Sequence, residues 1–290
     1  MNFTNNFINA MLSKTSILKN YYFFKNVFNF IKNYKDAIIN IAKTKYILDI
    51  LFIKLNDKYD NFLITESIFF NLKKFFSEVY SNFKTININY ENIKLLVENK
   101  VYKINIIKDW FLLNDIQNKN TKFILFKAKF KFYFKIDLSE INKTKKEIQI
   151  EISNLIIKIK SVEKIYNLES FLKENIENLK EKSKDINYAF GFCFDKIIIR
   201  NWKEGDYFKP YGLNGKKQKL KKFFINNKFK EYEKSRTLIF EDQTGIFLLF
   251  NYINKIKRGR ELFNNLEFLK FFKENNGVNF IEIWVYEKEQ

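Results

Sequence analysis

The sequence predicts an α+β protein with a helical N-terminal region, a mixed middle domain and a small C-terminal α/β domain. Three observations support this prediction. Apolar residues recur at spacings of three and four through residues 1–85, which is typical of amphipathic helices. Two later segments alternate apolar and polar residues, as strands do. All seven glycines and the only proline follow residue 190, so tight turns are expected in the last hundred residues.

The helical region is predicted over residues 1–95. Thr65 and Glu66 precede the apolar stretch 68–76 and resemble a capped helix start. We expect the many aromatic residues of this region to lie in the core. The apolar positions that best show the helical spacing are Ile38, Ile41, Ala42, Ile47, Leu48 and Leu51.

The mixed middle domain is predicted over residues 96–185. Residues 122–138 and 147–160 alternate and are predicted to be strands. Because neither glycine nor proline separates them, Asn, Asp and Ser must form the turns. Residues 168–185 predict a charged amphipathic helix whose charges face solvent.

The C-terminal domain is predicted over residues 186–258, with a short buried strand at 194–202. Four of the six residues 255–260 are basic, and this segment is predicted to be a soluble turn, with a phosphate contact as the alternative. No role is predicted for the tail, residues 259–290.

The composition excludes several classes of site. The chain has 290 residues, no histidine and one cysteine, Cys193. An internal disulfide, a Cys/His zinc site and catalysis by an imidazole base are therefore excluded. The longest apolar runs have about ten residues, whereas a membrane-spanning helix needs about 20. The N-terminus has no signal-peptide pattern, so we expect a cytoplasmic protein without a membrane partner.

The net charge of +19 has two competing explanations. A polyanionic partner such as nucleic acid would select for it. An AT-biased genome would also produce it, since Lys, Asn, Ile, Phe and Tyr are abundant and Ala, Gly, Pro and Arg are scarce. The clustering of charge is more informative than its total, and all four arginines lie in the last hundred residues.

Charge clusters most strongly in residues 195–230, which contain 11 basic and 3 acidic residues. A strand is predicted to end near Arg200, and a helix is predicted to begin at the lysine-rich run 216–222. The residues predicted to shape the intervening loop are Gly205, Asp206, Pro210, Gly212 and Gly215. The predicted phosphate contacts are Arg200, Lys209, Lys216, Lys217, Lys219, Lys221 and Lys222.

Aromatic residues interleave with these cations. Tyr207, Phe208 and Tyr211 flank Lys209, and such aromatics can stack on unpaired bases. The competing interpretation is a solvated basic loop and helix with the aromatics packed beneath. Glu204 and Asp206 are two carboxylates in one turn, which more often hydrogen-bond to the turn than bind Mg²⁺.

The window carries the pattern R-x-W-x-x-G-D-x-F-x-P-x-G-x-x-G-K-K-x-K-L-x-x-F-F-x-x-x-K, which resembles the C-terminal domain of tRNA(Ile)-lysidine synthetases, especially the Bacteroidetes type. The strong resemblance covers about 65 residues, 187–250. It implies a C-terminal α/β domain that contacts transfer RNA. Within the family, ATP adenylates an anticodon cytidine of isoleucine tRNA and lysine displaces AMP, in an N-terminal PP-loop domain with an S-G-G-x-D-S motif.

That catalytic motif is missing here, and no glycine precedes Gly191. Without glycine, residues 1–190 cannot form the glycine-rich turn that binds a pyrophosphate. We expect no catalytic, cofactor or metal site in this chain. The resemblance implies ATP and lysine only through the missing domain. Whether the chain is part of an enzyme stays open. The expected partners are tRNA, a separately encoded PP-loop ATPase subunit and a second copy in a homodimer. The alternatives are a stand-alone RNA-binding protein and a degraded relic.

Overall fold

The computed structural model describes residues 32, 42–55, 59–79, 87–115, 123–139 and 147–288. Ile38 and Ile41, for which a helical spacing is predicted, lie outside the described residues. The described part contains sixteen strands and six helices, so the α+β class is confirmed, with sheet as the larger component. None of the helices in the described ranges is long and apolar enough to span a membrane.

The strands are β1 (Ala42–Ile47), β2 (Ile50–Leu55), β3 (Lys103–Ile107), β4 (Trp110–Asn114), β5 (Phe123–Lys127), β6 (Tyr133–Asp137), β7 (Ile148–Ile152), β8 (Leu155–Ile165), β9 (Tyr188–Cys193), β10 (Lys196–Arg200), β11 (Tyr207–Phe208), β12 (Gln218–Lys219), β13 (Leu238–Asp242), β14 (Gly245–Asn251), β15 (Ile256–Gly259) and β16 (Val278–Glu287). The helices are α1 (Asn61–Val79), α2 (Tyr90–Val97), α3 (Leu168–Lys182), α4 (Leu220–Asn226), α5 (Glu231–Ser235) and α6 (Leu266–Glu274).

The chain divides into two compact units, residues 1–45 with 52–125 and residues 46–51 with 126–290. The domain boundaries predicted from the sequence stay predictions. A sheet ordered β1-β2-β5-β4-β3 contains β3 and β4, which lie with helices α1 and α2 in the first unit. The core of this unit includes Phe75 and Phe76, which both pack edge-on against Trp110.

The helical prediction is wrong for residues 42–55, which form the hairpin β1–β2. Leu48 and Asp49 both have positive φ, 51° and 55°, which is the backbone of a two-residue hairpin turn. No Asn-Gly or Asp-Gly marks this turn, and the spacing of the apolar residues on either side of it also fits a helix. The predicted helix start at Thr65 is also shifted, because α1 begins at Asn61.

In the second unit, one sheet has the order β7-β8-β16-β9. The predicted helix 168–185 is confirmed as α3, capped by the Asn167 side chain. The tail without a predicted role supplies α6 and the central strand β16, which pairs with β8 and β9. Phe268 of α6 is fully buried against Phe194, so this segment is part of the core.

The other sheet of this unit has the order β12-β11-β14-β13-β10-β6, with β15 paired to β14. The predicted strand at 194–202 is confirmed as β10, whereas the predicted single strand 122–138 is two strands, β5 and β6, in different sheets. The turn predicted at 255–260 is wrong, since residues 256–259 form β15. This sheet places the basic window at its β11–β12 edge.

Candidate nucleic-acid interface

The loop that follows β10 is held by a buried ion pair. Arg200 donates from Nη1 and Nη2 to the two carboxylate oxygens of Asp206, at 2.7 and 3.0 Å, and from Nε to Glu241 at 2.7 Å. Burial alone would lower the pKa of Arg200, but the hydrogen bonds to Asp206 and Glu241 outweigh it and raise that pKa. The phosphate contact predicted for Arg200 stays a prediction, although the residue is only 6% exposed and its Nε, Nη1 and Nη2 all donate within the protein.

Lys209 is also used internally. Its ammonium lies 2.8 Å from Asn265 Oδ1 and 3.2 Å from Glu267, and only 15% of its side chain is exposed. Asn265 caps α6, so Lys209 ties the loop to the start of that helix. Its predicted role as a phosphate contact stays a prediction.

Backbone geometry explains the predicted loop-shaping residues. Gly205, Gly212 and Gly215 have φ of +93°, +87° and +72°, which disfavours a residue with a Cβ. At Gly215 an added Cβ would also lie 1.9 Å from the carbonyl oxygen of Asn264. Pro210 forms an isolated bridge with Arg260, so the loop lies alongside residues 259–265.

The five lysines of the run 216–222 are all exposed. We call this set the lysine strip: Lys216, Lys217, Lys219, Lys221 and Lys222. The helix predicted at this run is present as α4, but it begins at Leu220 rather than at Lys216, because Gln218–Lys219 form β12.

Packing beneath the strip explains why the lysines face solvent. Leu220, Phe223 and Phe224 of α4 are buried, with Phe208 and Trp202 against them. The apolar positions occupy the inner face of α4, so Lys221 and Lys222 between them occupy its outer face. Lys221 of the strip pairs with Glu204 at 3.5 Å, but the two side chains are 68% and 83% exposed, so this ion pair is weak.

The aromatic residues of the window separate into two groups. Tyr207 and Tyr211 are 46% and 79% exposed, whereas Phe208 is 2% exposed and belongs to the core. Stacking on a base is therefore excluded for Phe208 and sterically open for the two tyrosines. The ammonium of Lys217 lies 4.3 Å from the centre of the Tyr207 ring.

A cavity of about 290 Å³ lies beside this loop, and four carboxylates line it: Asp206, Glu241, Asp242 and Glu267. Only two cations, Arg200 and Lys209, line it as well. The cavity is therefore a poor site for phosphate, and the lysine strip outside it is the better one.

The pair Glu204 and Asp206 does not gather further metal ligands. Asp206 accepts from Arg200 and from the backbone N–H of Lys203 at 2.8 Å, as expected for a turn carboxylate. Within the described ranges, no group of three or more His, Cys, Asp or Glu residues is placed to hold a metal ion.

The arginines have structural roles that the sequence reading missed. Arg260 is 5% exposed, pairs with Asp242 at 2.8 Å and lies 4.4 Å from the centre of the Phe268 ring. Arg236 is fully buried, and its donors reach the carbonyl oxygens of Leu48, Asp49 and Lys127 and the hydroxyl of Ser235. Burial lowers the pKa of Arg236 to about 10.

In the segment 255–260, Lys257 is likewise internal. Its ammonium donates to the carbonyl oxygens of Ser183, Asp185 and Tyr188, at 2.9, 2.7 and 2.7 Å. Burial lowers the pKa of Lys257. Lys255 and Arg258 are the exposed cations of this segment.

Part of this chain is similar in sequence to a tRNA(Ile)-lysidine synthase. The tRNA(Ile)-lysidine synthase of Parabacteroides distasonis is 44% identical over 61 residues, which is 20% of this chain and 13% of that protein. The Ribosomal operon-associated A protein of Euglena longa is 29% identical over 245 residues, which is 79% of this chain and 46% of that protein. The chain thus spans less than half the length of either relative. No family model matches.

Among solved structures, the TILS C-terminal domain matches with a TM-score of 0.32 and 14% identity, over 55% of this chain and 99% of that one. A likeness of this size supports no conclusion about the site. The resemblance to lysidine synthetases is confirmed only as a local sequence similarity to one such enzyme.

Proposed function

We propose that this protein binds transfer RNA through the lysine strip. The observation that carries the proposal is the contrast between the cations of the window. Arg200 and Lys209 are used in internal ion pairs, whereas all five lysines of the strip lie exposed within seven residues. Exposed lysines at such density attract a polyanionic backbone and release its condensed counterions on binding.

The choice of tRNA rests on the similarity to the Parabacteroides distasonis enzyme. A basic strip alone does not distinguish one RNA from another, because phosphate contacts carry no sequence information. The finer proposal is that the chain is the tRNA-binding part of a lysidine-forming enzyme. A separate PP-loop protein would then supply the chemistry that uses ATP and lysine, and this chain alone would be inactive.

A second candidate is a stand-alone RNA-binding protein. The exposed lysines of the strip suit this candidate as well, because phosphate contacts need no partner ATPase. In that case the tRNA-binding surface serves no partner ATPase.

A lysidine-formation assay separates these two candidates. Isoleucine tRNA with a CAU anticodon is incubated with ATP and lysine, together with this chain alone, with a PP-loop protein of the same genome alone, or with both. Activity that requires the mixture supports the split enzyme. Activity of this chain alone contradicts the proposal, and inactivity of the mixture despite tRNA binding leaves the stand-alone protein as the supported candidate.

Binding itself is measured by titrating tRNA at several salt concentrations. Five phosphate contacts predict a slope of about −4.5 for log affinity against log salt with duplex RNA, by analogy with DNA. That slope corresponds to a loss of about 500-fold between 50 and 200 mM salt. A slope near zero would refute phosphate binding by the strip.

A further inference from the structure

Four large apolar or aromatic side chains stand exposed on two loops of the second unit. Tyr211 and Leu213 are 79% and 40% exposed in the loop before the lysine strip. Phe263 and Leu266 are 47% and 80% exposed at the start of α6. We call these four residues the apolar platform. Single exposed apolar residues need no explanation, but four on adjoining loops indicate a binding surface.

The two loops are fastened to each other beside the platform. The backbone N–H of Tyr211 donates to the carbonyl oxygen of Gly259 at 3.2 Å, and that of Gly212 donates to the Glu261 carboxylate at 3.1 Å. Gly215 touches the backbone of Asn264 so closely that no Cβ fits between them. The two loops are therefore held together by backbone contacts and by the Glu261 carboxylate, and none of these contacts uses the side chains of the platform.

The charges around the platform indicate what it binds. Lys216 and Lys217 follow Gly215 directly and are exposed, and Arg258 is exposed next to Gly259. An apolar protein surface would gain nothing from these flanking cations. An unpaired nucleotide complements both features, because its base offers an apolar face and its phosphate a negative charge. In a duplex the base faces are hidden by stacking, so a duplex alone would leave the platform uncovered.

We propose that the apolar platform stacks on unpaired nucleotides that adjoin a duplex held by the lysine strip. This inference rests on the proposed function and assigns it a preferred substrate class, RNA with a single-stranded end or loop. Tyr211 supplies the aromatic face for stacking, and Leu213, Phe263 and Leu266 extend the apolar contact. The residues of the predicted tail thereby take part in the RNA-binding surface.

The test compares an RNA hairpin that has a blunt end with the same hairpin carrying four unpaired nucleotides at its 3′ or 5′ end. A 2-aminopurine in the overhang reports stacking by its fluorescence. We expect the wild-type protein to bind one overhang hairpin at least about tenfold more tightly than the blunt one. The variant Tyr211→Ser/Leu266→Ser should lose this preference and the fluorescence change, with blunt-hairpin affinity retained.

Ile225→Ser is the matched control, because Ile225 is 61% exposed on α4 and lies outside the platform. It should keep the overhang preference. Equal wild-type affinity for blunt and overhang hairpins would overturn the platform while leaving the lysine strip supported. An unchanged preference in the double variant would overturn it too, and loss of self-association in that variant would then assign the surface to a second copy. Wild-type protein that binds no hairpin would refute the proposed function itself.

Discussion

The close approach of Gly215 to Asn264 makes an alanine substitution at Gly215 a sensitive test of the loop architecture. An added Cβ would lie 1.9 Å from the Asn264 carbonyl oxygen, whereas real Cβ contacts are essentially never below 3.0 Å. Gly215→Ala must therefore push two backbones apart by more than 1 Å. The backbones at Gly215 and Asn264 cannot move aside as the end of a flexible side chain could, because both belong to hydrogen-bonded loops.

Gly212→Ala is the natural control for this substitution. Gly212 also has positive φ, +87°, but nothing lies within 4 Å of an added Cβ. Alanine at Gly212 should cost only the strain of the left-handed backbone, about 1–2 kcal/mol. Alanine at Gly215 adds an overpacking cost of about 1–3 kcal/mol, for a total of about 2–5 kcal/mol.

Urea unfolding followed by tryptophan fluorescence measures both free energies of unfolding, with Trp202 packed beside the lysine strip as a local reporter. We expect Gly215→Ala to be the more destabilising by about 1–3 kcal/mol. Equal destabilisation by the two substitutions would show that the loops are not in backbone contact at Asn264, and would refute this account of how the platform is held.

The remaining predictions concern buried polar groups. Asp206→Ala leaves the Arg200 guanidinium without its bidentate partner and should cost about 3–5 kcal/mol in urea unfolding, whereas Asp206→Asn should cost less. Arg236→Met removes the side-chain donors of the carbonyl oxygens of Leu48, Asp49 and Lys127, of which that of Asp49 keeps a further donor, the Lys127 N–H. It should cost on the order of 3 kcal/mol, which Arg236→Lys should only partly restore, as unfolding curves would reveal. Burial, with the hydrogen bond to Glu282, raises the pKa of Tyr188, so the folded state retains a proton that the unfolded state releases above pH 10. Stability should therefore fall as pH rises through 10, and Tyr188→Phe should lessen this fall between pH 8 and 11, whereas the exposed control Tyr133→Phe should not.

The sequence predicts the amphipathic elements of this fold well and its tight turns poorly. The single strand predicted over 147–160 is instead the hairpin β7–β8, whose turn contains Ser153 with φ of +56°, whereas the helix α3 follows directly from its apolar period. The hairpin β1–β2 does not, because Leu48 and Asp49 adopt positive φ without glycine. The carbonyl oxygens of both turn residues accept from Arg236, a contact over 187 residues or more that no local pattern reveals.

In the candidate site, too, the sequence predicts local features but not long-range contacts. The exposure of the lysines in the strip can be deduced from the sequence, because the apolar residues of the same run are expected to face the core. Whether a basic residue outside the run is free depends on distant partners. Lys209 reaches Asn265 and Glu267 more than fifty positions away, and Arg260 reaches Asp242 across a sheet. Two of the four arginines, all of which lie in the last hundred residues, form buried ion pairs, Arg200 with Asp206 and Arg260 with Asp242.

The role of residues 260–266 also depends on tertiary contacts. Phe263 and Leu266 are ordinary apolar positions next to a helix start in the sequence, which does not reveal that their segment contacts the loop of Tyr211 and Leu213 at Gly215.

The most direct test of the central claim is the affinity for tRNA of the double charge reversal Lys216→Glu/Lys217→Glu. The matched control is Lys173→Glu/Lys180→Glu, which makes the same change in net charge on the exposed side of α3. If the lysine strip contacts phosphate, the first variant should bind at least about tenfold more weakly and its salt slope should shrink by about 2, while the control stays near wild type. Equal affinities and slopes for wild type and both variants would contradict the claim that the strip is the RNA-binding surface.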